Sequence, residues 1–315
     1  MRSVSSAPGK VILFGEHFVV YGVKAVLCSI NRRIFVESEL VGNKIKISSD
    51  LGSLEAPVDS PVESVDSVFR PIVFLAQKAL RQFNSNSGVR VSVRSEIPSG
   101  VGLGSSSACC VAAASSIFGL FAKPSKEEIL RNAIDAERTV FERTSGADTN
   151  VCTYGGIIEY SKSGIKRLDL RPGFKIAVAN SKMEHSTSQV VAKVKKFKED
   201  HPGAFSDLCD NESSLIEEAL EDLRRDDVAA LGIKMRVNQV HLEKIGVSNH
   251  TINAMVDLLD SVTYGAKITG AGDGGCVIAL VDEKNMGKTL DILGSKYDCF
   301  FAEIDTTGVQ SHTHI

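Results

Sequence analysis

The sequence lacks an excess of charge of either sign, and it also lacks long apolar runs. Its 36 basic and 39 acidic residues are well mixed and give a formal net charge of −3. Because nucleic-acid-binding proteins carry a basic patch or stripe, this pattern argues against nucleic acid as a partner. No apolar run approaches the ~20 residues that span a bilayer, so we predict no membrane segment. Only Arg2 precedes a polar start, and a secretory signal is therefore not expected.

The cysteines form no recognisable pairs. There are seven of them, scattered along the chain, and no two have the CxxC spacing. Cys109 and Cys110 are adjacent, in a run of small residues that favours a helix. This usage is typical of a reducing compartment, so we expect a cytoplasmic location.

The chain length and the pattern of apolar residues predict two domains. A chain of 315 residues with 43% hydrophobic residues can bury a sizeable core. Strand-like patterns occur at residues 11–14, 25–30 and 34–40, whereas residues 186–259 have helical spacing almost throughout. The pattern changes near residues 160–180, which indicates domains at residues 1–170 and 171–315.

One helix start is predicted in detail. Ser125 with Glu128 three positions later is the pattern of a capping box, in which the two side chains satisfy each other's backbone N–H groups. We expect this helix to run to about residue 142, with residues 144–148 ending it.

A glycine-rich segment at residues 98–108 has the composition of an anion-binding loop. Gly100, Gly102 and Gly104 lack a Cβ atom, so the backbone can adopt positive φ and approach a ligand closely. Strand-like residues 89–93 precede the loop, and a helix of small residues follows it. A helix N-terminus presents unpaired N–H groups and a positive dipole end to an anion. We therefore predict a phosphate-binding loop rather than a flexible linker.

Two common phosphate-binding motifs do not fit the remaining glycines. Gly270, Gly272 and Gly275 match GxGxxG, but they lead into an apolar, strand-like segment rather than a helix, which argues against a dinucleotide-binding fold. Lys288 lies in a Gly-Lys-Thr triplet, but Asp282 occupies the position where a P-loop requires glycine.

Three segments together resemble a known family. Residues 7–17 (APGKVILFGEH), the 98–108 loop and residues 267–276 (KITGAGDGGC) are similar, in order and spacing, to the three motifs of the GHMP-type small-molecule kinases. The similarity extends over nearly the whole chain. It implies an α+β fold of two domains, with an N-terminal domain like ribosomal protein S5 and a ferredoxin-like C-terminal domain with helices.

Two segments resemble the mevalonate kinase branch of this family. They are EHFVVYG at residues 16–22, where galactokinases carry a GEHTDYNG-like segment, and SGADTNVCTYGG at residues 145–156. The resemblance implies ATP-dependent phosphorylation of the 5-hydroxyl of mevalonate.

The resemblance also implies roles for individual residues. Asp148 is expected to be the general base, Lys10 the cation beside it, and Ser106 with Glu137 the ligands of Mg²⁺. The phosphate-binding residues of the loop would be Pro98, Ser99, Gly100, Val101, Gly102, Leu103, Gly104, Ser105, Ser106 and Ser107.

Substrate contacts are expected from Glu16 and His17 after the first motif, and from Thr269 and Gly270 in the third. Asp273 departs from the family pattern, since most relatives have glycine there.

The sequence leaves alternatives open. A sibling kinase acting on phosphomevalonate or homoserine would share all three motifs, and some chains of this type are ligand sensors without catalysis. A phosphorylated substrate would require additional Lys or Arg in the pocket, and pocket membership cannot be read from a sequence. The oligomeric state is also open, with a homodimer as one candidate.

Overall fold

Two β-sheets with helices packed on them make up this computed structural model, which describes residues 1–98, 100–141, 144–183, 186–294 and 296–312. Within these residues, the first sheet contains eight strands in the order β12-β1-β2-β5-β3-β4, with β6 pairing with β2 and β7. These strands are β1 (Arg2–Phe14), β2 (Ala25–Val41), β3 (Lys44–Ser49), β4 (Gly52–Pro57), β5 (Gly88–Ser95), β6 (Ile157–Ser161), β7 (Gly164–Leu168) and β12 (Gln310–Ser311).

The first two strands are longer than the apolar pattern predicts. β1 and β2 pair antiparallel from Arg2 opposite Glu39 to Phe14 opposite Val26, so the two predicted strands at 25–30 and 34–40 are one. The polar residues between them do not interrupt the strand, because register shifts after Pro8 and after Ile12 absorb the irregularity.

The second sheet has the strand order of a ferredoxin-like fold. Its strands are β8 (Lys175–Asn180), β9 (Ala266–Thr269), β10 (Cys276–Val281) and β11 (Asp298–Ala302). Their order is β11-β8-β10-β9 with antiparallel neighbours, and helices connect β8 to β9 and β10 to β11. The start of this sheet at Lys175 lies near the predicted boundary, although β12 returns to the first sheet. The boundaries of the two domains stay a prediction.

The helices occupy most of the remaining chain. Within the described residues they are α1 (Arg70–Gln82), α2 (Ser105–Phe118), α3 (Lys126–Glu137), α4 (Ala147–Tyr154), α5 (Thr187–Asp200), α6 (Pro202–Arg224), α7 (Val228–Lys244), α8 (His250–Asp260) and α9 (Met286–Leu293). None of these helices is both long and apolar enough to cross a membrane.

The small residues of α2 let this helix lie close to β1 and β2. Ala112, Ala113 and Ala114 are fully buried, and bulkier side chains would hold the helix further from the sheet. The hydroxyls of Ser115 and Ser116 are buried too. They donate to the hydroxyl of Ser5 at 2.9 Å and to the carbonyl of Ser3 at 2.9 Å. Their burial therefore leaves neither hydroxyl without a hydrogen bond.

The predicted capping box at α3 is confirmed. The Glu128 N–H donates to the Ser125 hydroxyl at 3.2 Å, and the Ser125 N–H donates to the Glu128 carboxylate at 2.8 Å. The helix ends at Glu137, earlier than predicted, and a turn follows in which the Thr139 hydroxyl donates to the Ala136 carbonyl at 2.7 Å. A new helix, α4, begins at Ala147, where the sequence predicted only a helix end.

The last described segment of the chain returns to the first sheet. β12 pairs with β1 through Ser5 opposite Ser311, and the guanidinium of Arg33 contacts the carboxylate of Asp305. Arg33 also donates to the carbonyl of Gly308 at 2.7 Å. These contacts attach residues 303–312 to β1 and β2.

Candidate active site

The predicted phosphate loop has the backbone that its glycines suggest. Gly100, Gly102 and Gly104 have φ values of 74°, 82° and 73°, in the left-handed region that side chains disfavour. Between them, Val101 and Leu103 are buried and anchor the loop to the core. Gly104 is the N-cap of α2, so the loop ends at a helix N-terminus, as anion binding requires.

The other predicted loop residues differ in their surroundings. Ser105 is half-buried, Ser106 is exposed, Ser107 is buried and Pro98 is exposed. Ser99 lies outside the described residues.

Lys10 and Asp148 meet beside this loop. The Lys10 ammonium lies 3.2 Å from a carboxylate oxygen of Asp148. The Lys10 backbone N–H donates to the Leu103 carbonyl at 2.9 Å, and the side chain lies so close over Gly104 that a Cβ there would be 2.7 Å from its Cγ. The Lys10 side chain is 6% exposed and that of Asp148 39%. The carboxylate is therefore accessible to a ligand, whereas the lysine side chain is buried against the loop.

The position of Asp148 at the start of α4 is favourable for a negatively charged side chain. It lies in the first turn, after the N-cap Gly146, whose φ of 73° turns the chain into the helix. The positive end of the helix dipole favours a negative charge at this position.

Glu137, the last residue of α3, is a buried acid. One of its carboxylate oxygens accepts from the Ser107 hydroxyl, and the other accepts from the Thr144 hydroxyl at 2.9 Å. Burial raises the pKa of this carboxyl, and the negative charge of Asp148 adds to the effect, whereas the two hydroxyls and Lys10 act against it. Of the loop serines, Ser107 is therefore the one bonded to Glu137, while Ser106 faces the adjacent cavity.

That cavity has a volume of about 320 Å³ and adjoins the start of α2. Gly100, Ser105 and Ser106 line the side towards the phosphate loop. The rest of the lining is largely apolar and comes from distant parts of the chain, including Ile34, Val68, Phe69, Ile72, Val93 and Val140.

Glu16 lies deeper than a typical substrate contact. Its carboxylate is fully buried and accepts from the Lys267 ammonium, which is fully buried as well and also donates to the Ile268 carbonyl at 2.6 Å. Burial raises the pKa of the Glu16 carboxyl, and the charge of Lys267 opposes this.

His17 links the first motif to the third. One ring nitrogen, Nε2, lies 2.6 Å from the Ala271 carbonyl oxygen, and the backbone φ of 62° is unusual for a residue other than glycine. Burial lowers the pKa of this imidazole, the bond to Ala271 opposes that effect, and the positive charge of Lys267 adds to it.

Thr269 and Gly270 lie where the two sheets meet. The Thr269 hydroxyl accepts from the Ile12 N–H at 2.9 Å and donates to the Ile12 carbonyl at 3.1 Å. A Cβ on Gly270 would lie 3.6 Å from the Cα of Gly102, so the 98–108 loop and the third motif touch.

Asp273 shows why glycine suits its position. Its φ is 59°, a value that glycine adopts without strain. Its carboxylate contacts the ammonium of Lys193, and it accepts from the Asn249 side-chain amide at 3.3 Å.

Sequence reasoning missed several of these groups. The apolar cavity gave no local signal, because its lining is assembled from strands and helices far apart in the chain. Ser107 was predicted as a residue of the phosphate loop, but its bond to Glu137 was not, and Thr144 was not predicted as a site residue, since both bonds depend on packing. Lys267 did carry a signal, since it is a charged residue between apolar neighbours in a strand.

The arrangement suits the transfer of a phosphoryl group to an oxygen. An anion-binding loop, a held cation, an accessible carboxylate and a buried carboxylate with hydroxyls lie together. These are the groups that such a reaction needs for binding, charge neutralisation and orientation of the acceptor.

Comparison with known proteins points the same way. Residues 71–156 match the family model for the GHMP kinases N terminal domain, and residues 219–299 match that for the GHMP kinases C terminal. The chain is 34% identical to a mevalonate kinase of Thermococcus sibiricus, over 90% of each chain. It is also 34% identical to that of Aeropyrum pernix, over 97% of each. The crystal structure of the Methanococcus jannaschii mevalonate kinase superposes with a TM-score of 0.86 at 25% identity, covering 96% of this chain and 98% of that one.

The close contact of Lys10 with Gly104 yields a stability prediction. Gly104→Ala and Gly100→Ala both place a Cβ at positive φ, which costs about 1–2 kcal/mol. Gly100 has nothing within 4 Å of the added atom, whereas at Gly104 the Lys10 side chain must move. Gly100→Ala is therefore the control. We expect Gly104→Ala to lower the free energy of unfolding by about 1–3 kcal/mol more than Gly100→Ala does. Urea unfolding of both variants measures this, and equal losses would contradict the described packing.

Proposed function

The chain belongs to the GHMP kinases, within them to the mevalonate kinases, and on that basis we propose that it transfers the terminal phosphoryl group of ATP to the 5-hydroxyl of mevalonate. Family membership confirms the expected α+β, two-domain kinase fold. The observation that carries the proposal is the pairing of Lys10 with Asp148 at 3.2 Å beside the phosphate loop. The product is 5-phosphomevalonate, an isoprenoid precursor.

The cavity beside the loop suits the nucleoside of ATP. Its volume of about 320 Å³ is within the range of small-ligand pockets, and its apolar lining suits a flat base. A nucleoside bound there has its phosphates directed to Gly100, Ser105 and Ser106, where the loop passes into α2. The α2 N-terminus then faces the phosphates with its unpaired N–H groups.

The surroundings of Glu137 fit Mg²⁺. Magnesium prefers hard oxygen ligands, keeps several waters and needs few protein groups. Glu137 supplies a carboxylate, and Ser106 or Ser107 supplies a hydroxyl. Burial, and to a smaller extent the charge of Asp148, raise the pKa of Glu137, and a bound cation would offset both effects. When bound, the ion neutralises charge on the phosphate oxygens.

Asp148 and Lys10 act on the acceptor hydroxyl and on the phosphoryl group. The carboxylate of Asp148 accepts the hydrogen bond of the 5-hydroxyl and orients its oxygen for in-line attack. It takes up the hydroxyl proton as the new O–P bond forms and the bond from the γ-phosphorus to the bridging oxygen breaks, releasing ADP. Lys10 lies between this carboxylate and the loop, so its charge stabilises the negative oxygens of the transferring group. Because phosphoryl transfer has a loose transition state, positioning contributes much of the rate.

The alternatives have less support. The sibling kinases for phosphomevalonate and homoserine share the fold, but the two relatives described above are mevalonate kinases at 34% identity. A ligand sensor without catalysis would have no need of Lys10 and Asp148 in contact. The cytoplasmic location remains a prediction, which the free state of all seven cysteines supports. A homodimer also remains a prediction.

A panel of acceptors tests the function. Coupled measurement of ADP release with mevalonate, phosphomevalonate, homoserine and galactose, each with ATP, should give the highest kcat/KM for mevalonate, by at least about tenfold. Comparable turnover of phosphomevalonate or homoserine would favour a sibling kinase, and no turnover of any acceptor would favour the sensor.

The metal site is tested by Glu137→Gln. We expect turnover to require more Mg²⁺ in this variant, since the amide is a poorer ligand than the carboxylate. The raised pKa of Glu137 means that its ionisation costs stability as pH rises, so the variant should be at least as stable as the parent at pH 8. Glu127→Gln, on the exposed side of α3, is the control. An unchanged Mg²⁺ dependence in Glu137→Gln would remove Glu137 from the site.

The mechanism is tested by Asp148→Asn. The amide keeps the shape but cannot take up a proton, so kcat should fall by about 10²–10⁴-fold while KM for ATP changes little. Lys10→Met should also lower kcat, and the losses should not add in the double variant because the two groups act as a unit. Asp207→Asn, exposed on α6, is the control. A loss of only a few fold would indicate that Asp148 positions the hydroxyl without accepting its proton, and full activity would exclude both roles.

A further inference from the structure

We propose that Lys267 is a positioning residue for the acceptor substrate, acting through Glu16 and His17. This inference rests on the proposed function, because it assigns His17 to the acceptor side of that site. Nothing in the comparisons or in the sequence motifs gives Lys267 a role.

The first step is the burial of Lys267. Its side chain is fully inaccessible, and its ammonium is satisfied by the Glu16 carboxylate and the Ile268 carbonyl. A buried ion pair is seldom worth more to stability than apolar side chains of the same volume. Strand β9 is otherwise built of buried residues that would pack well against a methionine here. The pair therefore needs an explanation other than the stability of the fold.

The second step is the turn that follows β1. Gly15 has a φ of 93°, and a Cβ on it would lie 2.3 Å from the Lys24 carbonyl oxygen, so the chain is fixed there by close approach. Two residues later, His17 has a φ of 62°, a conformation that is strained outside glycine and persists only where its surroundings enforce it. Glu16 lies between them, and its bond to Lys267 holds the turn from the other side.

The third step is the state of the His17 ring. A carbonyl oxygen can only accept, so the nitrogen 2.6 Å from Ala271 carries a proton and the other nitrogen, Nδ1, is the acceptor of a neutral ring. Among the described residues, the charged groups facing this region are Glu16 and Lys267, with Glu212 of α6 and His241 of α7 behind them. Of these, Lys267 lowers the pKa of His17 by its positive charge, after the larger effect of burial. A neutral His17 accepts a hydrogen bond from a substrate hydroxyl, which an imidazolium cannot do.

The fourth step is the free oxygen of Glu16. Among the described residues, its Oε2 has no hydrogen-bond partner although the side chain is fully buried. Because the Glu16 side chain is fully buried, it acts on the acceptor only through the turn, and the half-buried His17 is the group within reach of a ligand.

The test replaces both residues of the Glu16–Lys267 ion pair at once. Lys267→Met alone leaves Glu16 unpaired in the core, so the double variant Glu16→Gln/Lys267→Met is the main protein, and thermal unfolding checks that it folds. We expect KM for mevalonate to rise by about 10–100-fold, the range of a lost hydrogen bond to a positioned group, with KM for ATP nearly unchanged. We also expect the NMR titration midpoint of the His17 ring to move to higher pH, since the cation that lowers it is gone. The His17 resonance is assigned from its loss in His17→Gln.

A second buried ion pair provides a matched control. Arg33 of β2 and Asp305 of the C-terminal segment are 12% and 8% exposed, and Arg33→Met/Asp305→Asn removes this pair. This control should change stability but neither the KM for mevalonate nor the His17 midpoint. A folded Glu16→Gln/Lys267→Met protein with both values unchanged would overturn the proposal. If the parent protein fails to phosphorylate mevalonate, the proposed function falls, and the His17 midpoint still tests the link between Lys267 and His17.

Discussion

The active site depends on how closely the two sheets approach each other at the ends of β1 and β9. The Thr269 hydroxyl bonds both the N–H and the carbonyl of Ile12, which fixes the third glycine loop against the first strand. That attachment brings Gly270 into contact with Gly102, with no side chain between the loops. The 98–108 loop follows β5 of the first sheet, whereas Thr269 and Gly270 end β9 of the second, so the spacing of these two glycine loops is set by this one junction.

The same junction concentrates buried charge. Glu16 and Lys267 are fully buried beside it, and Glu212 accepts from the Asn238 amide at 2.6 Å and from the His241 ring at 2.7 Å just behind. Groups of this kind cost free energy to bury, and they are usually found where their fields act on something. On the other side of the loops, Lys10 and Asp148 face each other with only the carboxylate well exposed. The charged groups around the glycine loops are therefore largely held by hydrogen bonds and ion pairs within the protein.

Local sequence patterns predicted the features that depend on interactions between residues close together in the chain. The glycine loop, its passage into α2 and the Ser125 capping box follow from backbone freedom and from side chains three residues apart. The pairing of Lys10 with Asp148 was predicted from family resemblance, because nothing in their spacing brings them together. The lengths of β1 and β2, the bond of Ser107 to Glu137 and the partner of Glu16 were not predictable. Each depends on a neighbour that lies far along the chain, and Lys267 is 251 positions from Glu16.

The return of residues 303–312 to the first sheet has a consequence for how the chain is made. Strand β1 is synthesised about 300 residues before β12, yet part of one of its edges, at Ser5 and Ser6, pairs only with that strand. Until then an edge strand with open N–H and carbonyl groups is exposed, a state that favours pairing with other chains. Arg33 of β2 likewise lacks its partners Asp305 and Gly308 until they have been synthesised. The first sheet therefore gains its last strand only after the second sheet has been synthesised, and part of the edge of β1 stays exposed until that point.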